Sequence, residues 1–158
     1  MASPLHVSRS RTFPIPVDRA YELTIAWPLD ELFDKRFLAI PPITGTDQDG
    51  AWGTLGQSRT IHTGDGGSMR EELVVVDAPH RFGYEITEVT GPMKPLVGRI
   101  EGTWAFDEVG SGCRITWSWA IHPASAVGGV ALPVFGALWK GYARRALDHL
   151  EELLLSAA

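Results

Sequence analysis

Two neighbouring stretches, GRIEGTWAFD at Gly98–Asp107 and GCRITWSWAIH at Gly112–His122, carry the clearest pattern in the chain. Apolar and polar residues alternate in both stretches, with a period of two. Such alternation is typical of β-strands that bury one face and expose the other. We therefore predict an antiparallel hairpin whose inner face is rich in indole and phenyl rings.

The apolar positions also predict the register of this hairpin. Phe106 pairs with Cys113, and Gly102 lies opposite Trp117, where the missing side chain leaves room for a large ring. The remaining predicted pairs are Trp104 with Ile115 and Ile100 with Trp119. In this register the apolar side chains of both strands point to one side of the sheet, as a buried face requires.

The residues before the hairpin read as further strands, because strand-like runs alternate with turn signals rich in Gly and Pro. The predicted strands cover residues 5–13, a short run near Thr44, and then 57–63, 68–76, 81–89, 97–107 and 113–122. The segment Val17–Phe37 has the start signals of two short helices. Asp18 is the predicted N-cap of the first helix, and Pro28 lies at the entrance of the second. Together the strands predict a curved antiparallel sheet of about seven strands.

The C-terminal segment has the periodicity of a helix. From Phe135 to Leu155, apolar residues recur every three or four positions and charged residues occupy the opposite side. This spacing predicts a long amphipathic helix that covers the aromatic face of the sheet. Pro133 lies either in its first turn or in an earlier, kinked extension from Ser125. We expect a single α+β domain over residues 1–158.

A buried carboxylate is predicted on the strand at 68–76. Pairing across the DAPH turn matches Val76 with Arg81, Val75 with Phe82, Leu73 with Tyr84 and Glu71 with Ile86. Glu71 then faces inward, where desolvation raises the pKa of a carboxyl group toward values useful for acid–base catalysis. Tyr84 would donate to it or orient a ligand carbonyl. The alternative is a bulged strand in which Glu71 stays solvated and pairs with Arg59 or Arg70.

The GDGG turn at residues 64–67 decides which side chains of the preceding strand face inward. A two-residue turn at Asp65 and Gly66 places Thr60 and His62 on the inner face. A three-residue loop places Arg59 and Ile61 there instead, because one extra residue reverses the faces of a strand. The sequence leaves both arrangements open.

Composition excludes several classes of partner. Among 158 residues, 44% are hydrophobic, which is enough for a sizeable core. The net charge of −5, with no basic stripe, argues against nucleic acid and against docking on anionic lipid. The uncharged stretch Pro123–Trp139 is shorter than the roughly 20 residues of a spanning helix, so we expect no stable membrane insertion.

Cofactor chemistry has no support in the sequence. Cys113 is the only cysteine, which rules out an internal disulfide, and the histidines show no metal-ligand spacing. We expect neither a metal nor another cofactor. Residues 1–10 lack the apolar core of a signal peptide, so a cytoplasmic location is expected. The sequence leaves a homodimer open.

The order of elements and several local motifs resemble the START, birch-pollen-allergen and polyketide-cyclase superfamily, often called SRPBCC. A strand, two short helices, a strand meander and a long C-terminal helix form its helix-grip fold. The resemblance rests on GAWGTLGQSRTIHTGDGGSMREELVVVDAP, HRFGYEI, EGTWAF and GSGCRITWSW, and it covers nearly the whole chain. Members bind lipids, sterols, polyketides and plant hormones, and a minority cyclise or dehydrate polyketide chains. The resemblance therefore implies a cavity for an apolar ligand.

Our leading hypothesis is a protein that binds an apolar or aromatic small molecule, lipid-like or polyketide-like, between the sheet and the C-terminal helix. The expected lining residues are Phe82, Tyr84, Ile100, Trp104, Phe106, Trp117, Trp119, Phe135, Leu138, Trp139 and Tyr142. The alternative is an aromatase/cyclase or dehydrase that uses Glu71, Tyr84 or His62 for proton transfer. A third interpretation is an interaction protein with a filled core.

The remaining motifs of the sequence are expected to have structural roles. Gly50, Gly53 and Gly56 lack the lysine and helix start of a phosphate cradle, so we expect a loop over the cavity mouth. The GPMKPL turn and the segment Ala124–Gly136 are expected to border the entrance. Cys113 is expected to be an inert core thiol.

Overall fold

The computed structural model of the chain describes residues 3–157, so Met1, Ala2 and Ala158 of the predicted domain lie outside the described residues. It confirms the predicted order of elements. The elements are β1 Leu5–Phe13, α1 Val17–Ala26, α2 Leu29–Leu32, β2 Ile43–Asp47, β3 Ser58–Thr63, β4 Ser68–Asp77, β5 Arg81–Thr87, a 3₁₀ turn Gly91–Met93, β6 Val97–Val109, β7 Gly112–Pro123 and α3 Ala126–Ala157.

The strands form one antiparallel sheet in the order β1-β7-β6-β5-β4-β3-β2. The chain crosses from one edge of the sheet to the other through α1 and α2, and then returns strand by strand. Helix α3 packs on β1 and β7 and also contacts both short helices. This is the helix-grip arrangement, with the core between the inner face of the sheet and the helices.

The two short helices begin at prolines. Pro16 is the N-cap of α1, where its extended backbone lets its carbonyl accept a hydrogen bond from Ala20 N at 2.9 Å. The prediction of Asp18 as N-cap is wrong, because Asp18 lies inside the first turn, where its carboxylate complements the helix dipole. Pro28 is the N-cap of α2, which confirms its place at the entrance of the second helix.

Helix α3 begins at Ala126, nine residues before the predicted start at Phe135, so the extension from Ser125 is correct. The Ser125 hydroxyl accepts a hydrogen bond from Gly128 N at 3.2 Å and caps the helix. Pro133 is accommodated inside the helix. In the second half of α3, side chains such as Leu147, Leu150 and Leu154 are fully buried, which anchors the helix on the sheet.

The β6–β7 hairpin has the predicted faces but not the predicted register. Phe106 pairs with Ile115, Trp104 with Trp117, Gly102 with Trp119 and Ile100 with Ile121. The prediction is wrong by two residues because the turn lies one residue further along the chain: Val109 pairs with Gly112, which leaves Gly110 and Ser111 in the turn, and Gly110 has the positive φ of +59° that a tight turn needs. A shift of two residues keeps each side chain on its face.

The β4–β5 hairpin contains a bulge between Leu73 and Val75. The predicted pairs Leu73–Tyr84 and Glu71–Ile86 are confirmed. Beyond the bulge, Val75 pairs with Gly83 and Val76 pairs with Phe82, so the predicted pairs Val75–Phe82 and Val76–Arg81 are wrong. The extra residue of the bulge shifts the pairing on one side of it only. Phe82, Tyr84 and Ile86 are buried as predicted.

The turn between β3 and β4 is longer than two residues. Thr63 N donates to Gly67 O across residues 64–66, and His62 pairs with Ser68. Arg59 and Ile61 are therefore buried on the inner face, as the three-residue alternative predicts. The inward placement of Thr60 and His62 is wrong, and the His62 side chain is 44% exposed.

Gly102 makes room for one ring on the crowded inner face. It pairs with Tyr84 on β5 and with Trp119 on β7. A Cβ atom built on Gly102 would overlap the Tyr84 phenol ring. The glycine therefore lets the tyrosine ring lie directly over the backbone of β6, between the side chains of its neighbours.

We expect Gly102→Ala to lower the free energy of unfolding by about 2–3 kcal/mol, because the added methyl group displaces the Tyr84 ring in a packed core. Urea denaturation measures this change. Gly45→Ala on β2 is the matched control, since a Cβ there meets no atom within 4 Å, and it should change stability by less than about 0.5 kcal/mol. Equal effects of the two substitutions would show that the Gly102 contact is unimportant.

Candidate functional site

A cavity of about 110 Å³ lies between the inner face of the sheet and the three helices. Most of the predicted lining residues border it. They are Phe82, Tyr84, Ile100, Trp104, Trp117, Trp119, Phe135, Trp139 and Tyr142. The β5, β6 and β7 members alternate along their strands, and Phe135, Trp139 and Tyr142 lie four and three residues apart on α3, so each element presents one face.

Phe106 and Leu138 do not border the cavity. Phe106 is buried further along β6, where its ring centroid lies 5.3 Å from that of Tyr21 and 6.0 Å from that of Phe82. Leu138 is half-buried on the flank of α3, one residue before the fully buried Trp139. Two segments were expected to border the entrance. The GPMKPL turn contributes Met93 to the cavity wall, and the segment Ala124–Gly136 contributes Phe135.

The rings that line the cavity also contact one another. Trp117 is at their centre: its ring is stacked on Trp104 at a centroid distance of 4.9 Å and lies 5.0 Å from Trp139. Phe33 stacks on Tyr142 at 5.6 Å. Aromatic packing and empty space therefore coexist in this core, whereas the sequence presents them as alternatives.

The Tyr84 hydroxyl is held by two indoles from β7. Trp117 Nε1 donates to the Tyr84 oxygen at 2.9 Å, and Trp119 Nε1 donates to it at 2.7 Å. Both indoles are two residues apart on one face of β7, so their N–H groups converge on the phenol that Gly102 admits. Burial raises the pKa of Tyr84 above its usual value, and the negative charge of Glu71 adds to this effect.

A buried ion pair forms part of the polar wall of the cavity. Arg59 on β3 and Glu71 on β4 are cross-strand partners, and Arg59 Nε donates to Glu71 Oε1 at 2.6 Å. Each side chain is only 5% exposed, and both border the cavity. Arg59 Nη1 also donates to Gln48 Oε1 at 3.1 Å, and its guanidinium lies 3.9 Å from the ring centroid of Trp52. The guanidinium is thus fixed from three sides.

This arrangement combines the two alternatives for Glu71. The carboxylate is buried, as the inward alternative predicts, and it pairs with Arg59, as the other alternative predicts. Burial raises the pKa of Glu71 above its usual value, while the charge and hydrogen bond of Arg59 act in the opposite direction. A carboxyl group in such surroundings can exchange a proton with a bound molecule.

The remaining titratable candidates lie outside the cavity. His62 is on the outer face of β3, where its Nε2 lies 2.7 Å from Asp47 Oδ2. Cys113 is completely buried, and burial raises the pKa of its thiol. Within residues 3–157 there is no group of three or more His, Cys, Asp or Glu side chains that could hold a metal ion. None of the helices within these residues combines the length and the apolar composition of a membrane-spanning segment.

Sequence reasoning missed several polar and aromatic members of the wall, including Trp52, Thr24 and Trp27. Trp52 lies in the glycine-bearing loop, which the Gln57 side chain stabilises by accepting hydrogen bonds from Gly53 N and Thr54 N. The signal for Trp52 in the sequence is a tryptophan within a glycine-rich loop. Thr24 and Trp27 lie on α1 and just after it, where the sequence pattern does not show which face meets the sheet.

Comparison with known proteins identifies the family. The sequence profile described as "Polyketide cyclase / dehydrase and lipid transport" matches residues 4–154, which is nearly the whole chain. The chain belongs to this family. The resemblance to the SRPBCC superfamily is thereby confirmed. No curated protein sequence matches the chain.

Several solved structures share the fold. The protein TTHA0849 from Thermus thermophilus is 22% identical, with a TM-score of 0.69 and coverage of 98% of this chain and 99% of that one. The major latex-like protein 151 from Panax ginseng is 15% identical, with a TM-score of 0.69 and coverage of 95% and 97%. DynU16, from the dynemicin biosynthetic locus, is 17% identical, with a TM-score of 0.63 and coverage of 96% and 48%. At these identities the likeness concerns the fold alone.

We expect the buried ion pair to behave as a unit. Arg59→Met and Glu71→Leu should each lower the free energy of unfolding by about 3–5 kcal/mol, because each leaves one buried charge without its partner. The double variant should lose less than either single variant, since it leaves no unpaired charge. Urea unfolding of the wild-type protein and the three variants gives the free energies for a double-mutant cycle. Losses that simply add would contradict the coupling.

Proposed function

We propose that this protein binds a ring-containing apolar small molecule in the cavity between the sheet and α3. The observation that carries the proposal is the lining: six indoles, from Trp27, Trp52, Trp104, Trp117, Trp119 and Trp139, border one cavity together with Phe and Tyr rings. Concave, mostly aromatic spaces with a few fixed polar groups are the usual form of small-molecule sites. Family membership supports the same function.

The size of the cavity favours a compact ligand. An apolar cavity of roughly 150 Å³ takes up benzene in another protein, and the cavity here measures about 110 Å³. A single ring that buries about 200 Å² gains about 5 kcal/mol from the hydrophobic effect, before the entropic cost of association is subtracted. A larger lipid or polyketide requires the rings on α3 or around Phe33 to move apart.

A second candidate function is acid–base catalysis of the cyclase or dehydrase type. One specific observation favours it: the Glu71 carboxyl borders the cavity, is buried and has a raised pKa. In an aldol closure with loss of water, such a group accepts a proton from carbon and returns a proton to the departing hydroxyl. Arg59, hydrogen-bonded to Glu71 Oε1, would keep the carboxyl oriented.

Filling the cavity with a larger side chain should weaken ligand binding. We expect benzene to bind the wild-type protein and to change its tryptophan fluorescence, and Ile61→Phe to weaken this binding at least tenfold, because Ile61 borders the cavity on β3. Thr60→Phe is the matched control, since Thr60 is the next residue on the same strand and its side chain is on the outer face. Equal affinity of both variants would contradict the proposed site.

The enzymatic candidate has its own test. If Glu71 transfers protons, Glu71→Gln should lower turnover of a short poly-β-ketone thioester at least 100-fold, which is the lower range for general acid–base groups. Affinity for benzene in the same variant should change less than about threefold, because the carboxylate and the amide are isosteric and burial of the ring supplies most of the affinity. Absence of turnover in the wild-type protein would contradict catalysis and leave the binding proposal standing.

A further inference from the structure

The hydrogen bonds around Tyr84 determine which way its hydroxyl points. An indole N–H is only ever a donor, so the Tyr84 oxygen must accept from Trp117 at 2.9 Å and from Trp119 at 2.7 Å. With both indoles on its oxygen, the hydroxyl can offer only its own hydrogen to a third group. Gly102 fixes this arrangement, because any larger residue would push the ring away.

The hydrogen of this hydroxyl has no protein acceptor. Across residues 3–157, the only hydrogen bonds of the Tyr84 hydroxyl are the two in which it accepts. Tyr84 is 6% exposed and borders the cavity. Trp139, another cavity residue, is completely buried, and its Nε1 likewise has no partner in this part of the chain. Thr24 Oγ1 and Trp27 Nε1 of the cavity wall have no partner among these residues either. Buried donors without acceptors are rare in folded proteins, so a group of them around one cavity points to an acceptor on the ligand.

On the basis of the proposed ligand-binding function, we propose that the cavity selects ring compounds that carry a neutral hydrogen-bond acceptor, a ketone or aldehyde carbonyl, and that the Tyr84 hydroxyl donates to this oxygen. The raised pKa of Tyr84 is consistent with this role, because the phenol keeps its proton across the neutral range. The two indoles act as positioning residues that hold the phenol as a donor.

Charge in the cavity wall favours a neutral acceptor over a carboxylate. The buried cation, Arg59, already donates to Glu71 Oε1 at 2.6 Å, so its charge is compensated. An anionic ligand would meet the buried Glu71 carboxylate without a free cation to offset its own desolvation. A carbonyl oxygen accepts the same hydrogen bond without that cost.

The test compares two probes of the same shape. Acetophenone carries a carbonyl, and α-methylstyrene carries a CH₂ group in place of the carbonyl oxygen. Their dissociation constants are measured by titration calorimetry for the wild-type protein and for Tyr84→Phe. We expect Tyr84→Phe to reduce the preference for acetophenone over α-methylstyrene at least tenfold, with affinity for α-methylstyrene changed less than about threefold, because only the ketone loses a hydrogen bond.

Two further variants identify the donor. Tyr21→Phe is the matched control: Tyr21 is also a buried tyrosine, but it is not among the residues that border the cavity, so the preference should be unchanged. Tyr142 borders the cavity as well. Loss of the preference in Tyr142→Phe, with retention in Tyr84→Phe, would overturn the assignment.

A spectroscopic measurement on the wild-type protein keeps the inference testable even if Tyr84→Phe fails to fold. The carbonyl stretch of bound acetophenone should lie at lower frequency than in hexane, and a stretch equal to that in hexane would overturn the inference. If α-methylstyrene binds and Tyr84→Phe leaves the ratio unchanged, the carbonyl inference fails while the binding proposal stands. If neither probe binds the wild-type protein, both fail.

Discussion

The contact of Tyr84 with Gly102, closed by two indole N–H groups, organises the centre of this sheet. It joins three strands, because the phenol of β5 lies over the backbone of β6 and accepts from Trp117 and Trp119 on β7. Trp117 in turn packs against Trp139 of α3. A single missing side chain thus allows a polar oxygen to sit deep in an aromatic core with both of its acceptor positions satisfied.

The polar groups of the core fall into two classes with different consequences. Arg59 and Glu71 satisfy each other, and Gln48 and Trp52 hold the guanidinium, so this pair is a fixed part of the wall. The Tyr84 hydroxyl and the Trp139 N–H keep a hydrogen to donate. Pre-placed donors in a mostly apolar cavity give orientation and selectivity to a guest whose affinity comes mainly from burial of its rings.

The alternation of residues along β6 and β7 was enough to predict that their rings share the face that borders the cavity, and the fold followed from it together with the other strand runs and the periodicity of the C-terminal helix. An error of two residues in register left every ring on its predicted face, since the period of a strand is two. The β3–β4 turn was different: one extra residue exchanged His62 for Arg59 on the inner face. Convergence of two indoles on one phenol depends on register and on Gly102 together, and alternation alone could not predict that convergence.

The close packing of the indoles makes the interior optically distinctive. Trp117 lies 4.9 Å from Trp104, 5.6 Å from Trp119 and 5.0 Å from Trp139, and these rings are held in one fixed arrangement. Indoles held in one fixed arrangement give a near-ultraviolet circular dichroism signal that is lost with specific tertiary packing, so this signal is expected to report on the order of the core. The chain thus carries an intrinsic cluster of chromophores in the wall of the cavity proposed for the ligand.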